Sequence, residues 1–252
     1  MIDVEAGAVL LDVDAGAVLP TASVGKVLLL VEVARRVHAG ELDPAEPLPR
    51  TPADAVGDSG LWQHLQVPAL PVADLAVLVG AVSDNLATNV LLRRVGLDAV
   101  AATAASLGLE RTALHDVVRD VRTPVDPPAL SSGSADELAR LFTRLAAGEV
   151  LGPEVSATVN GWLATGTDLS MVAGALGLDP LAHTAADRGV VLRNKTGTDR
   201  GARADVGWVR AGGATLAYAV LAAWAPDRDE RDAVLAAMRA LGAQLRDRLR
   251  AA

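Results

Sequence analysis

Apolar positions fall into three kinds of pattern along this chain, and the breaks between them outline its organisation. Ala8 to Val13 alternates weakly, turns at Asp14-Ala15-Gly16 and resumes at Ala17 to Leu19, predicting strand, turn and strand. Pro20-Thr21-Ala22 interrupts the pairing. From Ser23 onward Val27, Leu30, Val31 and Ala34 recur at helical spacing until Gly40 and Pro44, which places Ser23 at or near the amino terminus of a helix, in its first turn. A proline-rich connection, Pro44 to Pro52, leads to the loop Gly57-Asp58-Ser59-Gly60-Leu61-Trp62 and a helix over Val72 to Val82. Ser83-Asp84-Asn85 breaks that helix, and Leu86, Val90, Leu91 and Arg94 begin another that stops at Gly96. Residues 97 to 185 continue as short Ala/Leu-rich helices around a loop, Val117 to Ser134, that carries prolines at 124, 127 and 128.

The last third changes period. Val190 to Lys195, Asp205 to Arg210 and Thr215 to Ala223 read as strands, the last two joined by a hairpin at Ala211-Gly212-Gly213-Ala214. A closing helix presents Val234, Leu235, Met238, Leu241 and Leu245 on one face. Its acids (Asp229, Glu230, Asp232) come first and its arginines (Arg246, Arg248, Arg250) last, which matches the helix dipole. The expected class is therefore α/β in the α+β sense: an antiparallel sheet built from both chain ends and flanked by helices, beside an all-helical lobe. We expect one domain over 1–252, with an α/β lobe of about 1–36 and 186–252, a helical lobe of about 37–185, and a site in the cleft between them.

Composition narrows the chemistry. With one Phe, one Tyr and four Trp, the core must be aliphatic, and platforms for stacking bases are scarce. The net charge of -8 and the scattered arginines also argue against nucleic acid. The absence of cysteine excludes thiolate nucleophiles and disulfides, and His38, His64, His115 and His183 lack metal spacing, so neither metal nor cofactor is expected. No apolar run is long enough for a membrane helix, Ala214 to Ala225 being typical. Met1 to Glu5 is acidic where a secretory leader is basic, so the chain reads as cytoplasmic if complete and exported if trimmed. A monomer acting on a small molecule is expected.

The chain has two lysines against twenty-one arginines, and both lysines fall in motifs that need an amine able to lose its proton. These are Ser23-Val24-Gly25-Lys26 and Lys195-Thr196-Gly197, with Ser83-Asp84-Asn85 between them, so S-x-x-K, S-D-N and K-T-G occur in that order. Ser23 and Lys26, three positions apart on a helix, can meet as nucleophile and base. Burial, the helix start and Lys195 as a second cation would all lower the Lys26 pKa. Ser83 would relay a proton to the leaving group and the Asn85 amide would orient a substrate amide. Lys195-Thr196-Gly197-Thr198 offers an edge strand for the substrate, and the backbone N–H groups of Ser23 and Thr198 would converge as an oxyanion hole. Arg203 could hold a carboxylate bidentately. A phosphate-binding loop around Gly25-Lys26 is excluded, because Pro20 and Val27 stand where that motif needs glycine and a hydroxyl.

On these three motifs, on Val82 to Asn89, on Asp199-Arg200-Gly201-Ala202-Arg203 and on the closing helix after Asp229-Glu230-Arg231, the chain resembles the serine β-lactamase-like family. The likeness is to its class A branch, kin to penicillin-binding D,D-peptidases. The resemblance implies that Ser23 is the acylated nucleophile, Lys26 its base and Ser83 the relay, with Lys195, Thr196 and Arg203 as anchors for a substrate carboxylate. Two features depart from that pattern. No E-x-x-L-N sequence, the source of the water-activating glutamate, occurs between Leu107 and Ser134; Val118 stands in its place, leaving Asp116, Asp120 and Asp126 as candidate substitutes. The family's amino-terminal helix is also missing, since the chain starts almost directly in its first strand. A β-lactamase, a D,D-peptidase-like or esterase-like hydrolase with slow deacylation, and a penicillin-binding sensor without turnover all share the Ser/Lys pair.

Overall fold

Strand β1 (Ile2–Asp3) opens the chain, and β2 (Val18–Pro20) leads into one turn of 3-10 helix, Ala22–Gly25, that runs directly into α1 (Lys26–His38). This computed structural model describes residues 1–225 and 227–251. β3 (Pro47–Pro49) and β4 (Ala69–Pro71) precede α2 (Val72–Val82), α3 (Asn85–Val95) and α4 (Leu97–Ser106). Next come β5 (Ala113–Leu114), β6 (Ser131–Ser134), α5 (Ala135–Ala147) and α6 (Pro153–Leu163). β7 (Val191–Asp199), β8 (Ala202–Ala211), β9 (Ala214–Ala223) and α7 (Arg231–Ala251) complete the fold, a mixed α and β structure.

The main sheet is antiparallel in the order β1-β9-β8-β7, so both ends of the chain contribute to it. Ile2 faces Ala217 across β1 and β9, and Lys195 faces Val206 across β7 and β8. Gly212 and Gly213, both at positive φ, make the predicted β8–β9 hairpin. The amino-terminal hairpin expected from Ala8 to Leu19 does not form. Val9 makes only an isolated bridge to Ile2, and Val18–Pro20 pairs instead with β6, Leu19 opposite Gly133. Val9 and Val13 are exposed while Leu10 packs on the sheet, so the residues do not share one apolar face, and Asp12 and Asp14 fold the segment into turns by accepting from the Ala15 and Ala17 amides.

The middle of the chain is not all helical either. β3 pairs with β4, and β5 joins β6 and β2 in a second small sheet. These strands are two to four residues long, and β3 is bounded by prolines, too short for a period of two to register. α5 lies within the segment read as helical but packs on β8 and β9, while α1 sits among α3, α4 and α6. The aliphatic core forms there: Leu28, Leu29 and Leu30 of α1 meet Leu75, Leu91 and Phe142 with almost no exposure. A second apolar cluster, including Leu192, Leu216, Tyr218, Met238 and Leu245, fills the other side of the sheet under α7. The buried seam of α7 is Met238, Gly242, Leu245 and Leu249, while the expected Val234, Leu235 and Leu241 are half-buried beside it.

One ionic group crosses the helices. Glu32, buried on α1, accepts from Arg35 at 2.7 Å, from Arg36 at 2.5 Å and from the Thr103 hydroxyl of α4 at 2.6 Å. Arg36 also donates to the Val95 carbonyl at the end of α3, so the carboxylate ties three helices together. Removing it leaves the buried Thr103 hydroxyl without its acceptor and takes one partner from each arginine, Arg35 keeping Glu41 and Arg36 the Val95 carbonyl. Glu32→Ala is expected to lower the unfolding free energy by about 3 kcal/mol, measured by urea denaturation.

Candidate active site

Ser23 sits in the 3-10 turn ahead of α1, and α1 itself starts at Lys26. Ser23 is thus at the amino-terminal start of the helix, as expected, in a tighter turn than a regular α-helix. Ala22 adopts φ +47, a left-handed conformation that a regular helix start does not accommodate. It is held by Ser131 of β6, whose hydroxyl donates to the Ala22 carbonyl at 2.5 Å and bonds the Thr21 hydroxyl at 2.7 Å. The opposite wall is β7, the outermost strand of the main sheet. Gly197 makes the close approach possible, because a Cβ there would overlap the Thr21 carbonyl oxygen and lie 3.2 Å from the Ser23 nitrogen. Ser23 and Thr198 thereby line one cleft.

Both lysines are buried, Lys26 with 0% and Lys195 with 3% of its surface exposed. The Lys26 amine donates to the Ser83 carbonyl at 2.7 Å and to Asn85 Oδ1 at 2.6 Å, and lies 3.3 Å from Ser83 Oγ. Lys195 Nζ reaches the same hydroxyl from the other side at 3.0 Å and donates to the Thr196 carbonyl at 2.8 Å. One serine oxygen thus bridges two amines. The direct Ser23–Lys26 hydrogen bond expected from spacing is not among the Lys26 contacts, because two carbonyls draw the amine toward the S-D-N segment. Burial first, then the neighbouring Lys195, push the Lys26 pKa well below its ordinary value, against the pull of Asp84 and Asp58. Burial also lowers Lys195, to about 8, against the attraction of Asp168 and Asp205. The two short Lys26 contacts are to carbonyls, which can only accept, while the third partner is a hydroxyl able to donate. A neutral amine satisfies all three.

Ser83 occupies the left-handed region at φ 56, which turns both its oxygen atoms toward Lys26 at the junction of α2 and α3. Asp84 is buried and structural. Its carboxylate accepts the backbone N–H groups of Leu61 and Trp62, each at 2.8 Å, and caps α3 through Ala87 at 2.9 Å. Gly60 at φ +125 lets the loop close on it, a Cβ there falling 2.5 Å from the Asp84 carboxyl carbon. Asn85 uses both ends of its amide on the protein, accepting from Lys26 and donating to the Gly57 carbonyl at 2.9 Å. It faces Lys26 and the loop, and does not line the cleft as a substrate-orienting amide was expected to.

The cleft has a volume of about 210 Å³ and is lined by Ser23, Ser59, Ser83, Lys195, Thr196 and Thr198, with Thr167 and Asp168 closing one end. Arg203 stands outside this lining. Its Nη1 donates to the Asp199 and Ala202 carbonyls, and its guanidinium lies 5.7 Å from the centre of the Trp224 ring. Asp168 is not among the residues the motifs single out; the polar run Thr165-Gly166-Thr167-Asp168 inside an apolar stretch is the only signal for it. Thr167 fixes that run by donating its N–H to Ala81 at the end of α2.

None of the three loop acids lines the cleft. Asp116 is buried between Arg119 and Arg122, each at 2.7 Å, whose hydrogen bonds overcome burial and hold its carboxyl below the usual range. Asp126 caps Thr123, and Asp120 accepts the Gly57 N–H at 2.8 Å. Val118, at the position aligned with the missing glutamate, exchanges two backbone hydrogen bonds with the Asn89 amide. Among the described residues no group of three or more acids or histidines is placed to hold a metal ion, and no helix is long and apolar enough to cross a membrane.

The sequence matches the description "Beta-lactamase enzyme family" over residues 1–249. The chain belongs to the beta-lactamase enzyme family. Solved structures share the fold of this family member. One is a β-lactamase from Sphaerobacter thermophilus DSM 20745, with a TM-score of 0.82 and 25% identity over 97% of this chain and 88% of that one. A mutant of PBP-A, solved as an acyl-enzyme complex with penicillin G, gives 0.84 and 21% over 100% and 89% of the two chains. A β-lactamase from Burkholderia vietnamiensis gives 0.77 and 24% over 97% and 87%. No curated protein matches the sequence. In this member of the beta-lactamase enzyme family, Gly197→Ala is expected to force β7 from the Ser23 turn and lower the unfolding free energy measured in urea by about 2 kcal/mol, while circular dichroism still shows a folded chain.

Proposed function

We propose that the protein is a serine hydrolase that forms an acyl-enzyme on Ser23 with a β-lactam or a related strained amide or ester. The single observation behind this reading is the Ser83 hydroxyl held between two buried amines beside Ser23 in an open cleft. Lys26, its proton affinity lowered by burial and Lys195, takes the proton from Ser23 Oγ as that oxygen bonds to the carbonyl carbon. The proton then passes through Ser83 Oγ to the leaving nitrogen or oxygen as the scissile bond breaks. The backbone N–H groups of Ser23 and Thr198 stabilise the carbonyl oxygen while it carries negative charge. Asn85 acts here as a positioning residue that aims Lys26.

A second reading has its own support. The loop carboxylates that could activate water are engaged elsewhere and Val118 replaces the glutamate, which favours slow deacylation, as in a D,D-peptidase-like or esterase-like enzyme or a penicillin-binding sensor. Prolonged incubation with millimolar chromogenic cephalosporin, followed by intact mass measurement, separates the readings. Steady colour means turnover, a stable adduct on Ser23 means a trap, and an unmodified mass without colour overturns the acyl-enzyme itself.

Two outcomes bear on the lysines. Lys26→Arg keeps the charge and removes the basicity, so acylation should fall by about a thousandfold in a variant shown by circular dichroism to be folded. The acylation rate of the native protein should decline as pH rises through about 8, where Lys195 changes from ammonium to amine and its positive charge leaves the cleft. A rate that climbs steadily to pH 10 in stopped-flow measurements would contradict that role.

A further inference from the structure

The end of the cleft expected to receive a substrate carboxylate already holds one belonging to the protein. Asp168 lines the wall with Lys195, Thr196 and Thr198. Its Oδ1 accepts from the Ser170 hydroxyl at 2.6 Å and the Ser170 N–H at 3.1 Å. Thr196 lies beside this carboxylate on the same wall. Partial desolvation disfavours the charge of this solvent-exposed side chain, but the Ser170 hydrogen bonds and the nearby Lys195 outweigh it and hold the carboxyl below its ordinary range, so it is ionised at neutral pH.

The three expected anchors differ in what they offer an incoming anion. Thr196 shares its stretch of wall with the Asp168 carboxylate. Lys195 donates to Ser83 Oγ and the Thr196 carbonyl, and Asp168 attracts its charge without forming a salt bridge. Arg203 gives Nη1 to two turn carbonyls and covers Trp224, away from the cleft lining. A second carboxylate entering here would meet a like charge, with one weakly basic lysine to compensate for both.

We infer that Asp168 sets the charge selectivity of the site: the cleft favours acyl donors that present an ammonium group at this end, accepts an uncharged amide less well, and disfavours a free carboxylate. This rests on the acyl-enzyme reading above and names the substrate class within it. A carboxylate that served only to hold the turn at Ser170 would affect all three kinds of donor alike.

Benzylpenicillin, its methylamide and its 2-aminoethylamide, both formed at the ring carboxyl, keep one reacting ring and vary only this charge. Second-order acylation rates at Ser23, followed by intact mass at pH 7, should rank aminoethylamide above methylamide above free acid, with steps on the order of tenfold. Asp168→Asn, which retains an acceptor for Ser170, should raise the rate with the free acid and lower that with the aminoethylamide, each by about tenfold. Asp168→Glu should keep the native order. A native protein that reacts fastest with the free acid, or an Asp168→Asn variant in which all three rates shift together, would overturn the inference. Failure of every probe, together with failure of a fluorophosphonate to label Ser23, would remove the acyl-enzyme reading and this inference with it. Labelling by the fluorophosphonate alone would leave the nucleophile standing and reject the donor class.

Discussion

Two amines taken out of water within reach of one hydroxyl constrain everything around them. No carboxylate lies within salt-bridge distance of Lys26 or Lys195 among the described residues, so the usual way of keeping a buried lysine charged is missing. The energy of burying two ammonium groups side by side is avoided instead by lowering their affinity for protons. The carbonyls of Ser83 and Thr196 and the Asn85 side-chain oxygen accept what donors remain. An arginine in either place would keep its proton, which explains why a chain so rich in guanidinium groups has amines at just these two positions.

The surrounding structure serves to hold that arrangement. Asp84 gathers three backbone N–H groups and so fastens the Gly57–Trp62 loop to the start of α3. The loop in turn supplies the carbonyl that holds the far side of Asn85. From the other direction, Ser131 fixes the left-handed Ala22, and the missing side chain at Gly197 lets the outer strand lie against the Ser23 turn. Helical segments and sheet therefore meet where the reactive groups converge, and each contributes one lysine.

Motifs whose chemistry depends on spacing along one element are legible in the amino-acid sequence. The three positions from Ser23 to Lys26, the break at Ser83-Asp84-Asn85 and the edge strand at Lys195-Thr196-Gly197 are local, and so is the apolar face of α7. What the sequence does not show depends on contacts between distant segments. The partner of β2 lies more than a hundred residues away in β6, and nothing in Ala17 to Leu19 announces it. Asp168 joins the site only because Thr167 docks on the end of α2. The S-D-N motif singles out Asn85 but not its partner, since the orientation of an amide depends on the Gly57 carbonyl opposite. Arg203 likewise reads as an anion anchor until Trp224 is placed beneath it.

The placement of the lysines also decides how the folded protein meets reagents. Its surface cations are all arginines and, at the right pH, histidines, so apart from the amino terminus no side-chain amine is open to acylating dyes, aldehyde cross-linkers or surface immobilisation through amide bonds. Chemistry of that kind will report on the interior of the cleft or on unfolding, and will leave the exterior of the native molecule unmarked.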